Sequence, residues 1–293
     1  MELRVLQYFL AVAREQSISA AAESLHLTQP TLSTQLRAME EELGKQLLIR
    51  GAKGSRRVLL TEEGMILRKR AEEILALVQR TEEEIMHDDE AVVGDVYIGA
   101  GETDIVRLLA RAAREIQKQH PDIRYHISSG NAEHVLEQLD KGLIDFGLLF
   151  GRTDTQKYEA LPLPGKDTWG VLMRRDVPLA EKASVAPGDL LEKPLILTDQ
   201  PDDAQLLTRW LSPAGGVPHV VATYNLVYNA SLLVDEGLGY ALCLDRLINT
   251  DGSRLCFRPL SPPLESAASL VWKKYPAFSK AARTFLSCLR GLL

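Results

Sequence analysis

The tightest constraint on this chain is a run of helix starts and stops packed into residues 17–50, SISAAAESLHLTQPTLSTQLRAMEEELGKQLLIR. Just before it, Leu3, Leu6, Leu10 and Ala13 recur at helical spacing and predict a first helix ending near residues 15–17. Ser19 can cap a second helix over residues 20–25, whose three alanines leave room for another helix to cross closely. His26-Leu27 makes a tight turn. Thr28 then caps a third helix, with Pro30 in the first turn, where a missing N–H costs nothing, and Gly44 to stop it. Leu32, Leu36, Met39 and Leu43 share one stripe of this helix and predict its buried face. The opposite face presents Pro30, Thr34, Arg37 and Glu41, flanked by Ser33, with Gln29 at the exposed start. Short hydrogen-bonding groups and one guanidinium suit base edges and phosphates.

A basic, glycine-punctuated segment follows, with Lys45, Arg50, Lys53, Arg56 and Arg57 and no acidic residue, and then Val58-Leu59-Leu60 reads as a strand. Three short helices, a proline-started third helix, a basic loop and a strand predict a winged helix-turn-helix over residues 1–61, with double-stranded DNA as its partner. The whole-chain charge of −6 argues against a protein that coats nucleic acid indiscriminately. The charge is unevenly spread: residues 1–61 hold 8 Lys/Arg against 6 Asp/Glu, and residues 88–293 hold 22 against 27. Attraction for phosphate is local to the head.

Residues 62–90 predict a long helix and linker. Leu67, Ala71, Ile74, Val78, Thr81 and Ile85 alternate spacings of four and three, a coiled-coil seam on which two chains can zip into a homodimer. One reading helix covers few base pairs, and two related by a twofold axis double the site.

From residue 91 onward strands alternate with helices, which predicts parallel sheets with helices outside and ligands at the carboxyl ends of the strands. Two such units are expected: residues 91–161 joined by 267–293, and residues 162–266. The fold class is thus α/β overall, an all-α winged head and a long dimerisation helix followed by two α/β lobes with a cleft for a small-molecule effector. The loops expected to line that cleft carry Gly101, Glu102, Thr103, Ser129, Asn131, Phe150, Thr198, Asp199 and Tyr224. Ser, Thr, Asn and Asp at helix starts also serve as plain caps. Two carboxylates, Glu102 and Asp104, beside one helix start would offset its attraction for an anion and favour an effector with a cationic or amphoteric group.

No apolar window is long enough to span a membrane and the N-terminus does not read as a signal peptide, so a cytoplasmic protein without a membrane partner is expected. Ile98-Gly99-Ala100-Gly101 begins a dinucleotide-binding fingerprint but places Asp104 where the third glycine belongs. No metal-ligand spacing, nucleophile elbow or Walker sequence occurs, so no enzyme, catalytic residue, metal or cofactor is expected. Cys243, Cys256 and Cys288 read as buried thiols, with a redox sensor or a solute-binding protein as the alternatives on a two-lobed fold.

The run at residues 17–50, followed by RRVLLTEEG, resembles the LysR-type transcriptional regulators, whose pattern is an alanine-rich helix, a Ser/Thr-Gln-Pro helix start, Leu-Glu and Leu-Gly at the helix end and Leu-Thr-x-x-Gly after the wing. The resemblance implies base contacts by Gln29, Pro30 and Ser33, while Thr34 stands where arginine is frequent. Met39 and Leu48 replace the usual leucine and phenylalanine, and the wing is about three residues longer than usual. It further implies phosphate contacts by Lys53, Arg56 and Arg57, effector contacts by Thr103 and Asn131, and no carboxylate clamp at Phe150, where some relatives carry arginine. A homotetramer that bends DNA, and RNA polymerase as a further partner, also belong to what the resemblance implies.

Overall fold

The computed structural model describes residues 1–50, 57–86, 92–151, 154–275 and 277–293. Their contacts divide the chain into two units, residues 1–88 and 89–293.

In the first unit α1 (Leu3–Glu15), α2 (Ile18–Ser24) and α3 (Gln29–Leu43) precede β1 (Leu48–Arg50), β2 (Val58–Leu60) and the long α4 (Glu62–Met86). Leu6, Phe9, Val12, Ala21, Leu32 and Leu36 are almost fully buried between the helices, each large side chain adding about 1.5–3 kcal/mol of burial. Gln16 ends α1 in the left-handed region (φ 49°), and the extended Ser17 accepts the Ala20 N–H at 3.3 Å. Ser17, not Ser19, is therefore the cap of α2. Thr28 and Gly44 bound α3 as the sequence predicts. Leu43 departs from its predicted burial, because the last turn of α3 runs past Met39, the helix's final core position. β1 and β2 pair antiparallel, Ile49 opposite Leu59, to form the base of the wing.

The predicted seam of α4 divides in two. Ala71 is fully buried in the head's own core, and Leu67 and Ile74 pack against that core from its edge. Farther along, Val78 is half-buried, Thr81 is exposed and Ile85 is 77% exposed. An apolar stripe that begins beside α1 is spent on its own head first, and its distal part alone is left bare.

The second unit begins with β3 (Gly94–Ala100), α5 (Val106–Gln117), β4 (Ile123–Ser129), α6 (Ala132–Asp140), β5 (Phe146–Phe150) and β6 (Tyr158–Pro162). The chain then lays down β7 (Asp167–Arg174), β8 (Leu195–Thr198), α7 (Pro201–Leu211), β9 (Val220–Tyr224), α8 (Val227–Asp235), β10 (Tyr240–Leu244), β11 (Leu255–Pro259) and β12 (Glu265–Ser266). It returns through β13 (Ala268–Lys273) to α9 (Lys280–Leu292). Among the described residues one sheet runs β4-β3-β5-β13-β6 and the other β11-β7-β10-β8-β9, with β12 on β7. The strand-helix-strand stretches are parallel, as predicted, but β13, β6, β7 and β11 enter antiparallel and make both sheets mixed. Phe146, Trp272 and Phe285 fill the first lobe beneath α5 and α9; Trp169, Leu195 and Leu242 fill the second. β6, β11 and β12 each follow a strand with no α-helix between, and so fall outside the strand-helix alternation that the sequence predicts.

Candidate functional site

The head holds the first candidate site. Thr28 Oγ1 accepts the Thr31 N–H at 3.3 Å and so fixes the start of α3, leaving Gln29, Pro30, Thr34 and Arg37 exposed. Ser33, predicted to touch bases, is only 9% exposed and sits on the core side of the helix, next to Leu32 and one turn before Leu36. Glu40, to which no role was assigned, closes the base of the wing. It accepts the Leu47 and Leu48 N–H groups at 2.8 and 3.0 Å and pairs with Arg50 at 3.0 Å. Thr61 accepts the Gly64 N–H at 3.0 Å and donates to the Gln46 carbonyl at 2.7 Å, starting α4 beside the strand. A Cβ on Gly64 would lie 2.2 Å from the Leu47 carbonyl oxygen, so the Leu-Thr-x-x-Gly spacing is a packing requirement. Of the five basic residues around the wing, Lys45 pairs with Glu63, Arg50 with Glu40, and Arg57 donates to Gln16. Lys53 and Arg56 lie outside the described residues.

The second site is a cavity of about 840 Å³ between the lobes of the second unit, at the upper end of the range of ligand pockets. It opens where β3, β4 and β5 end in the first lobe and where β8, β9 and β10 end in the second, the place such sheets offer to ligands. Eight of the nine predicted residues line it: Gly101, Glu102, Ser129, Asn131, Phe150, Thr198, Asp199 and Tyr224. Several spend their polar groups locally. Asn131 accepts the His134 N–H at 2.8 Å, Thr198 accepts that of Gln200 at 3.1 Å, and Tyr224 donates to the Leu242 carbonyl at 2.7 Å.

Thr103 is the exception among the nine. It is 7% exposed and lines no part of the cavity. Its hydroxyl donates to Asp167 at the start of β7 and accepts the Ile105 N–H at 3.0 Å, which makes it a latch at the crossover between the lobes. Burial pushes the Asp167 carboxyl up, against the lowering effect of that hydroxyl. Asp104 is compensated too, by Arg107 at 2.5 Å and Arg246 at 3.7 Å, and does not face the cavity. Glu102 does, and the Val227 N–H at the start of α8 donates to its carboxylate at 2.6 Å, across the lobes. Asp203, beyond the predicted residues, also lines the cavity, and burial, then Asp202, raises its carboxyl to about 6. Burial pushes the Cys243 thiol up to about 12 and raises that of Cys288, which favours the unreactive protonated form.

Residues 3–65 match the family model described as a bacterial regulatory helix-turn-helix protein of the lysR family, and residues 90–293 match the LysR substrate binding domain. The chain belongs to the LysR family of transcriptional regulators. It is 25% identical over 296 residues to the uncharacterised HTH-type transcriptional regulator YvbU of Bacillus subtilis, covering 100% of this chain and 99% of that protein. It is 32% identical over 200 residues to the hydrogen peroxide-inducible genes activator of Dickeya chrysanthemi, covering 68% of this chain and 64% of that protein. Among solved structures, full-length CbnR in complex with its target DNA superposes with a TM-score of 0.80 at 21% identity, over 100% of both chains. As a LysR-family member this protein is a DNA-binding transcriptional regulator with an α/β substrate-binding domain. No described helix is long and apolar enough to cross a membrane.

Proposed function

We propose that α3 reads DNA through Gln29, Pro30, Thr34 and Arg37, that Thr28 sets its start, and that an effector in the cavity between the lobes controls that reading. The observation that carries the proposal is the exposed polar face of a capped, proline-started helix whose other face is buried by Leu32, Leu36 and Met39. Ser33 supports the helix from its core side and contacts DNA little. Residues 1–61 form the head, 62–90 the link, 91–161 with 267–293 one lobe and 162–266 the other. Two chains pair along the distal part of α4, where Val78 and Ile85 continue the heptad spacing, and pairs of dimers form the tetramer. An effector acts by binding one arrangement of the lobes better than another. The product acts in the cytoplasm on promoters, where RNA polymerase is the further partner.

Fluorescence anisotropy on DNA upstream of the protein's own gene, against a scrambled duplex at about 150 mM salt, tests the head, because non-specific binding is weak there. Gln29→Ala is expected to weaken selective binding by about tenfold, the worth of one base contact, and Ser33→Ala to change it little. Equal, weak binding to every genomic fragment tried would sink the reading. Ser129→Trp, which partly fills the cavity from an exposed position, is expected to alter DNA affinity or footprint; an unchanged footprint would remove the cleft from the control of DNA binding.

A further inference from the structure

The charge around the cleft says what kind of molecule it takes, given the effector reading above. Three helices start on the cavity, and a helix start draws anions through its free N–H groups. Here the chain supplies those anions itself. Leu226 offers α8 no side-chain cap, and the Val227 N–H donates instead to Glu102 from the other lobe at 2.6 Å. Asp202 and Asp203 occupy the first turn of α7, and at α6 Asn131 caps the helix while Glu133 stands in its first turn. With Asp199, five carboxylates line the cavity, accompanied by one imidazole, that of His134, and, among the described residues, by neither lysine nor arginine.

These charges converge. Asp203, Glu102 and Asp199 line the same cavity as Tyr224, and the Tyr224 phenol is held up by burial first, then by Cys243, and after it by these three carboxylates. Asp203 is half-buried and makes no ion pair with a described residue. A bare metal ion does not fit, since among the described residues no three His, Cys, Asp or Glu stand close enough to hold one. Apolar and aromatic wall is supplied by Phe150, Trp169 and Leu244, beside the neutral polar Ser129, Thr198, Gln200 and Asn225.

We propose that the effector of this cleft is an organic cation, a primary amine or guanidine on an apolar body, whose charged end pairs with Asp203 and Glu102 while the body lies against Phe150 and Trp169. An anion would meet like charge at every helix start, whereas a cation gains charge-assisted hydrogen bonds in a partly desolvated site and the face of an aromatic ring. Pulling on Glu102 also pulls on its bond to α8, so the same contact that recognises the cation reports it to the second lobe.

The test is isothermal titration of the full-length protein at about pH 8 with agmatine, putrescine and phenethylamine, and separately with succinate and benzoate. Saturable binding of at least one amine, weakened about tenfold or more by Asp203→Asn, is the expected result. Asp203→Asn removes a half-buried charge that no ion pair holds and so leaves the fold intact, which thermal unfolding of the variant verifies; Glu102→Gln is the second variant and is expected to lose amine affinity as well. Binding of succinate or benzoate with no amine binding overturns the cation inference while the effector cleft stands. Binding of neither class also overturns it, and if Ser129→Trp then leaves the DNA footprint unchanged the effector reading falls with it.

Discussion

A carboxylate can stabilise or cost depending on what surrounds it, and two acids of this chain illustrate both. Glu40 is 12% exposed in its side chain and satisfies two backbone N–H groups and Arg50. Glu40→Gln keeps the shape but loses the charge-assisted part of those bonds, and is expected to destabilise the head by about 1–2 kcal/mol, read in urea unfolding. Unchanged stability would show that water serves the wing base equally well. Asp203 is the opposite case. Its carboxyl, raised from 3.8 to about 6, binds its proton more tightly in the folded state. Stability therefore falls as pH rises from about 4 to about 6 and stays lowered above that. With a discount for its partial exposure the cost is about 1–2 kcal/mol, so Asp203→Asn is expected to raise the melting temperature of the second unit by a few degrees at pH 7.5 and hardly at pH 4. An equal gain at both pH values would show that its charge is not the cause. Neither role is legible in the sequence, since Glu40 lies among three consecutive glutamates and Asp203 beside Asp202. Ser19 and Ser33 mislead for a related reason: a cap is decided by which residue is extended, and a helix flank by a few tens of degrees of rotation, and the pattern sets neither.

At the scale of elements, periodicity is the dependable guide and partnership is not. The stripe on α4 is present with the spacing predicted, yet what it packs on changes along its length. The same substitution at its two ends therefore has different effects. Ala71→Asp puts a charge into the head core and is expected to cost several kcal/mol and unfold the head. Ile85→Asp falls at a position 77% exposed in the single chain and is expected to leave head stability within about 0.5 kcal/mol while shifting light scattering toward monomer. A dimer unaffected by Ile85→Asp would place the oligomer contact elsewhere. The central strands β3, β5, β8 and β10 were legible because buried strands read as short apolar runs between helices. β6 and β11, which carry prolines at their ends, and the two-residue β12 lack that signature.

At the scale of the whole sensing unit, the return of the chain through β13 was legible, and its consequence was not: the chain passes between the lobes at residues 163–166 and again at residue 267, and the loop after β3 holds the second lobe beside the first of these passages and at the start of α8. Thr103 holds Asp167 where β7 begins, and its neighbour Glu102 holds the first N–H of α8. Adjacent residues of one loop thus fix the second lobe at two places, one buried in the hinge and one facing the cleft. A buried, hydrogen-bonded carboxyl is costly to disturb, whereas a contact that lines the cavity is open to exchange with a ligand, so the two divide the work of a fixed pivot and a releasable clasp. Glu102→Ala removes the clasp alone. Hydrogen exchange at the Val227 amide is then expected to quicken by at least about tenfold, since this N–H is capped by no side chain of its own helix, while the amide of Ile105, held by Thr103 at 3.0 Å, keeps its protection. Equal quickening at both amides would mean that the loop opens as one piece and that pivot and clasp are not separate.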